Sequence, residues 1–263
     1  MRRIGVALCC LAPMLSAEIK LLVTVTDPKA AKAVTDLKAE DFSATDGDAV
    51  RRITEAKFTT GKVDTMLMVD SSLMGQMVQG PAAEFISQLE EKEQMALVAF
   101  HSSADMVQDF TSSRQTLLRK LGEIKYGNTP RALDALYAAM DGGFEHTVLR
   151  RIILLLTAGY EGGARVRDRD VVKLATKNGV SIFPLYLTGR ERGLFEMLAR
   201  RTGGAPLNLR DLAKVTKSPG KTVFDIVRGS YSVTMSGNLT PTEKFKVEVR
   251  GPRKLFVSAL VLE

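Results

Sequence analysis

The chain has 263 residues, of which 45% are hydrophobic and 25% charged, so it can bury a sizeable core and is not of the disordered class. Its length suits one large domain or two modest ones. The formal net charge of +7 is a mild excess, and the sequence has no tryptophan and no arginine cluster interleaved with aromatic residues. We therefore expect no nucleic-acid partner.

The first 17 residues have the composition of an export signal. Two arginines precede an apolar stretch from Ile4 to Leu15, and the small residues Ser16 and Ala17 follow it. This stretch is shorter than the roughly 20 residues that span a bilayer, so we expect no integral membrane segment in the mature chain. A buried N-terminal strand or helix is the alternative. Export would place the protein in the periplasm or outside the cell. It would also remove Cys9 and Cys10, the only cysteines, which excludes disulfides and thiolate metal sites.

Residues 18–62 are typical of a β segment. IKLLVTVT, residues 19–26, is rich in β-branched side chains and predicts a strand. Short strands are expected on either side of a turn at Asp46–Gly47, because aspartate and glycine tolerate positive φ.

Residues 63–228 alternate between short apolar runs and amphipathic segments. The runs are VDTMLMVD, QMALVAFH, RRIILLLT and GVSIFPLYL, which are apolar throughout and suit parallel strands covered on both faces. The segments between them, such as TPRALDALYAAMDGGF, repeat apolar residues at helical spacing. This order predicts an α/β fold with a doubly wound, mostly parallel sheet. DMVQDF, residues 105–110, is expected to be an antiparallel edge strand.

Residues 229–263 return to a strand-like alternation. FKVEVR and KLFVSALVLE are separated by Gly251–Pro252 and predict a β-hairpin. Neither this tail nor residues 18–62 is long enough to form its own core easily. We therefore expect the two to pack together as a small accessory β module.

Three loops of the α/β region are candidates for a binding site, because ligands of open α/β sheets bind beyond the carboxyl ends of the strands. They contain Asp70-Ser71-Ser72-Leu73-Met74, Gly127-Asn128-Thr129 and Thr157-Ala158-Gly159-Tyr160-Glu161. A carboxylate and hydroxyls brought together from separate loops are the kind of oxygen ligands that Mg²⁺ prefers.

The strand and loop VDTMLMVDSS, the segment GNTPRALDALYAAM and the strand RRIILLLTAG resemble, in this order, the three metal loops of a von Willebrand factor A domain. The whole mature chain is similar to the VWFA-related proteins that some bacteria export. The resemblance implies a Rossmann-like fold. It also implies a metal-ion-dependent adhesion site (MIDAS), in which the ion accepts a carboxylate of a partner protein.

In this family the first loop has the pattern Asp-x-Ser-x-Ser. Asp70 and Ser72 match that pattern, and Thr129 matches the threonine of the second loop, but Met74 stands at the last serine position. The aspartate position of the third loop is Ala158. A thioether is a poor ligand for Mg²⁺, and alanine offers none. We therefore expect a degenerate site with no resident cofactor and at most weak Mg²⁺ binding. Glu161 could replace the lost carboxylate, although a solvated loop glutamate is the simpler interpretation.

The expected function is that of an exported, non-enzymatic, adhesion- or scaffold-type protein whose partner is another protein. The partner-binding loops would present Asp70, Ser72, Met74, Thr129 and Glu161. Met74 would either form an apolar contact surface or pack beneath the first helix. Without metal, Asp70, Ser72 and Thr129 would hydrogen-bond one another and the loop backbone. Asp134, on the helix after Thr129, would be a supporting contact.

Three alternatives remain open from the sequence. The first is a metal-dependent adhesion module that holds Mg²⁺ with Asp70, Ser72 and Thr129. The second is a serine hydrolase that pairs Ser71 or Ser72 with His101 or His146, although no G-x-S-x-G motif is present. The third is a structural envelope component without a discrete ligand.

Overall fold

A computed structural model describes residues 18–237 and 241–262. The expected export signal over residues 1–17, with both cysteines, lies outside the described residues. None of the helices in the described ranges is long and apolar enough to cross a membrane.

Fourteen strands and seven α-helices make up the described chain. The strands are β1 (Glu18–Asp27), β2 (Lys32–Ala33), β3 (Phe42–Asp46), β4 (Ala49–Arg51), β5 (Ile53–Thr60), β6 (Val63–Asp70), β7 (Gln94–Phe100), β8 (Ala104–Thr111), β9 (Arg150–Thr157), β10 (Val180–Tyr186), β11 (Leu207–Asn208), β12 (Gly229–Ser236), β13 (Phe245–Val249) and β14 (Phe256–Leu262). The helices are α1 (Gln79–Ser87), α2 (Arg114–Gly122), α3 (Ala132–Met140), α4 (Asp168–Lys177), α5 (Arg192–Thr202), α6 (Leu209–Val215) and α7 (Pro219–Arg228).

The central sheet has six strands in the order β11-β10-β9-β6-β7-β8. All neighbouring pairs are parallel except β7 and β8, so the α/β prediction and the antiparallel edge strand are both confirmed. Every residue of β6 is buried, as expected for a strand covered on both faces.

Helices cover both faces of the central sheet. Successive side chains of β6 point to opposite faces: Leu67 and Val69 pack with α1, α2, α6 and α7, whereas Met66 and Met68 pack with α3 and α4. The two methionines are therefore core residues, as their place in the strand predicts. Helices α6 and α7 have no counterpart in the sequence-based prediction.

The remaining strands form two smaller sheets. One has the order β14-β1-β12-β5, with β2 paired to β1, and the other has the order β13-β3-β4. They share an apolar cluster in which the ring of Tyr231 lies 5.2 Å from those of Phe42 and Phe58. The Tyr231 hydroxyl also accepts a hydrogen bond from the backbone N–H of Leu37 at 3.0 Å.

The predicted hairpin of the tail is wrong. β13 pairs with β3, and β14 pairs with β1, so the two tail strands belong to different sheets. The reason is that each strand buries one face in the shared core by pairing with a distant strand, about 200 residues away for β13 and about 235 for β14. A local turn signal at Gly251–Pro252 carries no information on such partners.

A buried ion pair joins the two ends of the α/β region. Arg228, the last residue of α7, donates from Nε to Glu93 Oε1 at 2.9 Å and from Nη2 to Glu93 Oε2 at 2.6 Å. Glu93 has no solvent exposure, and it also accepts the backbone N–H groups of Val63 and Glu90. The Glu93 carboxylate therefore links the start of β6 to the end of α7, after which the chain continues into β12.

Candidate functional site

Asp70 ends β6 at the carboxyl edge of the central sheet, and its side chain is fully buried. One carboxylate oxygen, Oδ1, accepts the backbone N–H of Ser72 at 2.9 Å. The other, Oδ2, accepts the hydroxyl of Thr157 at 3.0 Å and the backbone N–H of Ala158 at 3.0 Å. Asp70 thus links the first loop to the third. The two loops are adjacent because β6 and β9 are parallel neighbours.

Two glycines allow the loops to pack this closely. A Cβ atom at Gly75 would lie 1.9 Å from the backbone oxygen of Asp70, and one at Gly162 would lie 2.2 Å from Cγ2 of Thr129. Neither separation is possible for a real side chain without movement of the backbone or of the neighbour. Gly162 also donates its N–H to the carbonyl of Pro130 at 2.7 Å, which joins the third loop to the second.

The second loop lies against the first through backbone contacts. Gly127 donates to the carbonyl of Ser71 at 2.8 Å, and Leu73 donates to the carbonyl of Asn128 at 3.4 Å. Asn128 has a φ of +61°, a conformation that asparagine adopts more readily than most residues. Thr129, the next residue, is exposed to solvent.

The expected hydrogen bonds among Asp70, Ser72 and Thr129 form only in part. Asp70 bonds the loop backbone, but the Ser72 hydroxyl is buried without a hydrogen-bond partner among the described residues. Thr157 supplies the hydroxyl that Asp70 accepts, and sequence reasoning missed this role. Strand order explains the difference, since it places the end of β9 directly beside the end of β6.

Tyr126 is a second residue that the sequence did not single out. Its hydroxyl is buried and has no partner in the described part of the chain. Burial raises the pKa of this phenol, and the negative charge of Asp70 raises it further. Tyr126 lies next to the first loop, because the following residue, Gly127, donates to the carbonyl of Ser71 at 2.8 Å.

Glu161 is half-buried, so the expectation of a solvated loop residue is wrong. Its Oε2 accepts the backbone N–H of Leu133 at 3.2 Å, in the first turn of α3, where a carboxylate also meets the positive end of the helix dipole. Burial raises the Glu161 pKa, and the charges of Asp134 and Glu191 add to this, whereas the backbone hydrogen bonds lower it. Asp134 supports the same loop by accepting the N–H groups of Arg165 and Val166.

An apolar surface lies beside this polar arrangement. Leu73, Met74 and Met77, which we call the apolar rim, are 77%, 57% and 49% exposed. Met74 therefore does not pack beneath the first helix, and that alternative is wrong. On the third loop Tyr160 is partly exposed, with the guanidinium of Arg190 4.8 Å above its ring.

The donor set at Asp70 is poorly matched to a doubly charged metal ion. Across the described ranges, no three His, Cys, Asp or Glu side chains lie close enough together to hold one. The single carboxylate already accepts three hydrogen bonds, and Ala158 contributes no side-chain oxygen. The hydroxyls of Ser72 and Thr129 are neutral and add no compensating charge.

His101, one of the two histidines that could serve as the base of a hydrolase, makes its hydrogen bonds with its own loop. Nδ1 of His101 lies 3.0 Å from the hydroxyl of Ser102 and accepts the backbone N–H of the same residue. The hydroxyl of Ser72 has no partner, histidine or other, in the described residues.

No protein-family model matches the chain, and no curated protein matches it. Solved structures do match. Proximal thread matrix protein 1 from the mussel byssus, in a structure with a zinc-occupied MIDAS motif, is 16% identical, with a TM-score of 0.54 over 70% of this chain and 50% of that one. BatB from Bacteroides thetaiotaomicron is 14% identical, with a TM-score of 0.50 over 64% of this chain and 97% of that one. The protein has the von Willebrand factor A fold.

The von Willebrand factor A fold places the three loops as the sequence resemblance implies. β6, the loop before α3 and β9 meet at one edge of the sheet. At 14–16% identity the similarity concerns the fold alone. The chain spans only half of the mussel protein, so the activity of that protein does not transfer.

Proposed function

We propose that this protein is an exported, non-enzymatic binding protein that contacts another protein through the apolar rim, without a metal ion. The proposal rests on the hydrogen bonding of the Asp70 carboxylate and on the exposed apolar side chains beside it. Both of its oxygens accept hydrogen bonds from the protein, while Leu73 and Met74 of the same loop stand exposed to solvent. Large exposed apolar residues that cluster on a surface favour protein contacts.

The argument against a resident metal is one of charge. A divalent ion in a low-dielectric site needs anionic ligands to replace its hydration, and only Asp70 supplies a full negative charge. The position at which the family has a second carboxylate is Ala158, which is 4% exposed and has a methyl side chain. Met74 replaces a hydroxyl with an exposed thioether, a soft donor that hard cations avoid.

A metal-dependent module is the second candidate, and one observation favours it. The Ser72 hydroxyl is buried beside Asp70 without a hydrogen-bond partner in the described part of the chain, and a bound ion would satisfy it. The mussel protein holds zinc in the corresponding fold. In this alternative Asp70, Ser72 and Thr129 would hold Mg²⁺ with water, and the ion would recognise a carboxylate of the partner.

Isothermal titration of the purified protein with MgCl₂ and MnCl₂ separates the two candidates. The metal-free proposal expects no binding tighter than about 1 mM, which corresponds to about 4 kcal/mol of binding free energy. Tighter binding that is lost in Asp70→Asn would overturn it in favour of the metal-dependent module.

Affinity capture from an envelope extract tests the apolar rim. The double variant Leu73→Ser, Met74→Ser removes the two most exposed side chains of the apolar rim while leaving Asp70 intact. Val50→Ser is the matched control, because Val50 is 78% exposed on the β3–β4 hairpin, away from the three loops. We expect a partner that is retained by wild type and by the control and lost by the double variant. A partner retained equally by all three chains would contradict the role of the apolar rim.

Export and the absence of catalysis are tested separately. Mass spectrometry of the protein recovered from its final compartment should find an N-terminus close to Glu18. A screen of ester and peptide substrates should show no turnover. Turnover that disappears in Ser71→Ala or Ser72→Ala would instead support the hydrolase.

A further inference from the structure

Arg190 lies in the loop between β10 and α5, at the same edge of the central sheet as Asp70. Its guanidinium carbon is 4.8 Å from the centre of the Tyr160 ring, and both side chains are exposed to solvent. The nearby Arg192 is paired with Glu196 at 2.6 Å, whereas Arg190 has no ion-pair partner among the described residues. Its charge is therefore available to a group outside the protein.

The contact with Tyr160 leaves the hydrogen-bond donors of Arg190 free. The ring attracts the charge of the guanidinium through its π face, so the N–H groups are not used up by this contact. They match the two oxygens of a carboxylate, and Arg167 binds Asp170 in this way at 2.7 and 3.2 Å. The ring also restricts the arginine side chain before a partner arrives, so less conformational entropy is lost on binding.

The loop that carries Arg190 is fixed to the third loop beside Asp70. Thr188 donates to the carbonyl of Ala158 from its backbone N–H at 3.2 Å and from its hydroxyl at 3.0 Å. Ala158 in turn donates its N–H to Asp70. A Cβ atom at Gly159 would lie 2.4 Å from the carbonyl oxygen of Thr188, so the two loops pack without room for a side chain. The position of Arg190 therefore depends on the loop that carries Ala158.

The apolar rim belongs to the same edge of the sheet. β10, β9 and β6 are consecutive strands, and they are parallel, so the loops that follow them are neighbours. Adjacent strands lie about 4.8 Å apart, which places the ends of β10 and β6 about 10 Å apart. One protein partner of ordinary size can cover both loops at once.

The accessible charge on this surface is mainly positive. Arg131 in the second loop is partly exposed and Arg165 in the third loop is exposed, and neither is paired with a carboxylate within the described ranges. Three carboxylates of the same region already accept backbone N–H groups: Asp70, Asp134 and Glu161. Glu191 is partly buried and offsets only part of the charge of the three arginines. Such a surface attracts a negatively charged partner.

We propose that the partner segment that covers the apolar rim is acidic, and that Arg190, held by Tyr160, binds one of its carboxylates. This inference rests on the proposed function, because it names the chemistry of the partner at the same surface. Apolar side chains of the partner cover Leu73 and Met74. Three residues of extended peptide span about 10 Å, so the acidic residue lies about three positions from the apolar one.

Peptide display supplies a probe for this chemistry. A library of random peptides of about 12 residues, long enough to cross both loops, is selected on the purified protein in EDTA, and the best-binding peptide is synthesised. We expect the selected peptides to carry aspartate or glutamate about three positions from a large apolar residue. Selected peptides that are basic, or no more acidic than the starting library, would overturn the proposal.

Fluorescence anisotropy with the synthesised peptide assigns the carboxylate contact. Arg190→Gln removes the charge and keeps a polar side chain, and the affinity should fall at least about tenfold. Replacing the acidic residue of the peptide by its amide should weaken binding to wild type equally and have little further effect on Arg190→Gln. Arg52→Gln, at an exposed position between β4 and β5, is the matched control and should bind like wild type. Unchanged affinity in Arg190→Gln would refute the contact.

A second variant tests the role of the ring. Tyr160→Ser keeps the charge of Arg190 and removes the aromatic face beneath it, so the peptide should bind several-fold more weakly. Equal affinity in wild type and Tyr160→Ser would refute the role of Tyr160.

Failure of this inference is distinguishable from failure of the proposed function. A peptide that is lost by the double variant Leu73→Ser, Met74→Ser but retained by Arg190→Gln would refute the arginine contact and leave the apolar rim in place. A peptide that is retained by both variants would refute both proposals.

Discussion

The charge argument at Asp70 is testable by restoring what the third loop lacks. Ala158→Asp places a second carboxylate beside Asp70, because the N–H of Ala158 already donates to Asp70 Oδ2 at 3.0 Å. Adding Met74→Ser completes the first-loop pattern. The double variant therefore has two carboxylates and two serine hydroxyls around one point, where wild type has one carboxylate.

Without metal, the added carboxylate should be destabilising. Two like charges at a separation of about 5 Å and an effective dielectric constant of about 20 repel each other by about 3 kcal/mol. For a chain of this size that loss corresponds to roughly 10 °C in melting temperature. With metal, the double variant should instead be stabilised. Mg²⁺ at 10 mM, bound with a dissociation constant of about 0.1 mM, would stabilise the folded state by about 2.7 kcal/mol.

Urea unfolding at pH 7, in 10 mM MgCl₂ and in EDTA, measures both effects. Ala158→Asn, combined with Met74→Ser, is the matched control, because asparagine fills nearly the same space without the charge. We expect Mg²⁺ to stabilise the aspartate variant by about 2.7 kcal/mol, whereas the asparagine variant and wild type, with dissociation constants no tighter than about 1 mM, should gain at most about 1.4 kcal/mol over their values in EDTA.

Two results would refute the reasoning. If wild type gains as much stability from Mg²⁺ as the aspartate variant, a single carboxylate is sufficient and the site is not degenerate. If the aspartate variant is as insensitive to Mg²⁺ as the asparagine control, the loops do not converge in the way the geometry indicates.

Three further outcomes are expected. Glu93→Gln should lower the free energy of unfolding at pH 7 by about 3 kcal/mol, because it removes the buried carboxylate of Arg228 and leaves only the half-exposed Glu90, 2.9 Å from Nη1, as its anion. Burial would raise the Glu93 pKa, but the hydrogen bonds from Arg228 and from the backbone of Glu90 and Val63, together with the charge of Arg228, outweigh burial and hold the pKa below its ordinary 4.5. The advantage of wild type should therefore be present above pH 4.5 and disappear as the pH falls through the folded-state pKa; a difference that stays constant in urea titrations at pH 7 and pH 3 would contradict this. Gly75→Ala should cost about 3 kcal/mol in urea unfolding, because its Cβ meets backbone, whereas Gly80→Ala, with no atom within 4 Å, should be neutral or slightly stabilising; equal effects would be inconsistent with the loop packing. Burial raises the Glu161 pKa above 4.5, so its ionisation costs stability as the pH rises through the folded-state value. Glu161→Gln should match wild type in thermal unfolding at pH 4 and exceed it at pH 8, and the reverse order would refute the assignment.

Much of the site could be anticipated because its positions follow from local patterns. The apolar run from Met66 to Val69 marks β6 as a strand covered on both faces, and Asp70 is its last residue. Parallel strands bring their carboxyl ends to one edge, so the loops after β6 and β9 had to be neighbours once the sheet was predicted.

The contacts inside the site could not be anticipated in the same way. The hydroxyl of Thr157 reaches Asp70 across 87 positions of the chain, and Glu161 reaches the first turn of α3 across 28. Which of several nearby polar groups becomes the partner depends on side-chain direction and on separations of a few tenths of an ångström. Neither quantity is encoded in the spacing of residue types.

The sequence by itself determined the α/β class, five of the six strands of the central sheet and the absence of a carboxylate at position 158, because hydrophobic periodicity and residue identity are local properties; the short β11 was not predicted. Only the tertiary structure decided that β13 and β14 belong to different sheets and that the hydroxyl of Thr157 donates to Asp70. Both outcomes depend on which distant segments pack together, since strand pairing and the satisfaction of buried donors are settled by contacts between residues far apart in the chain.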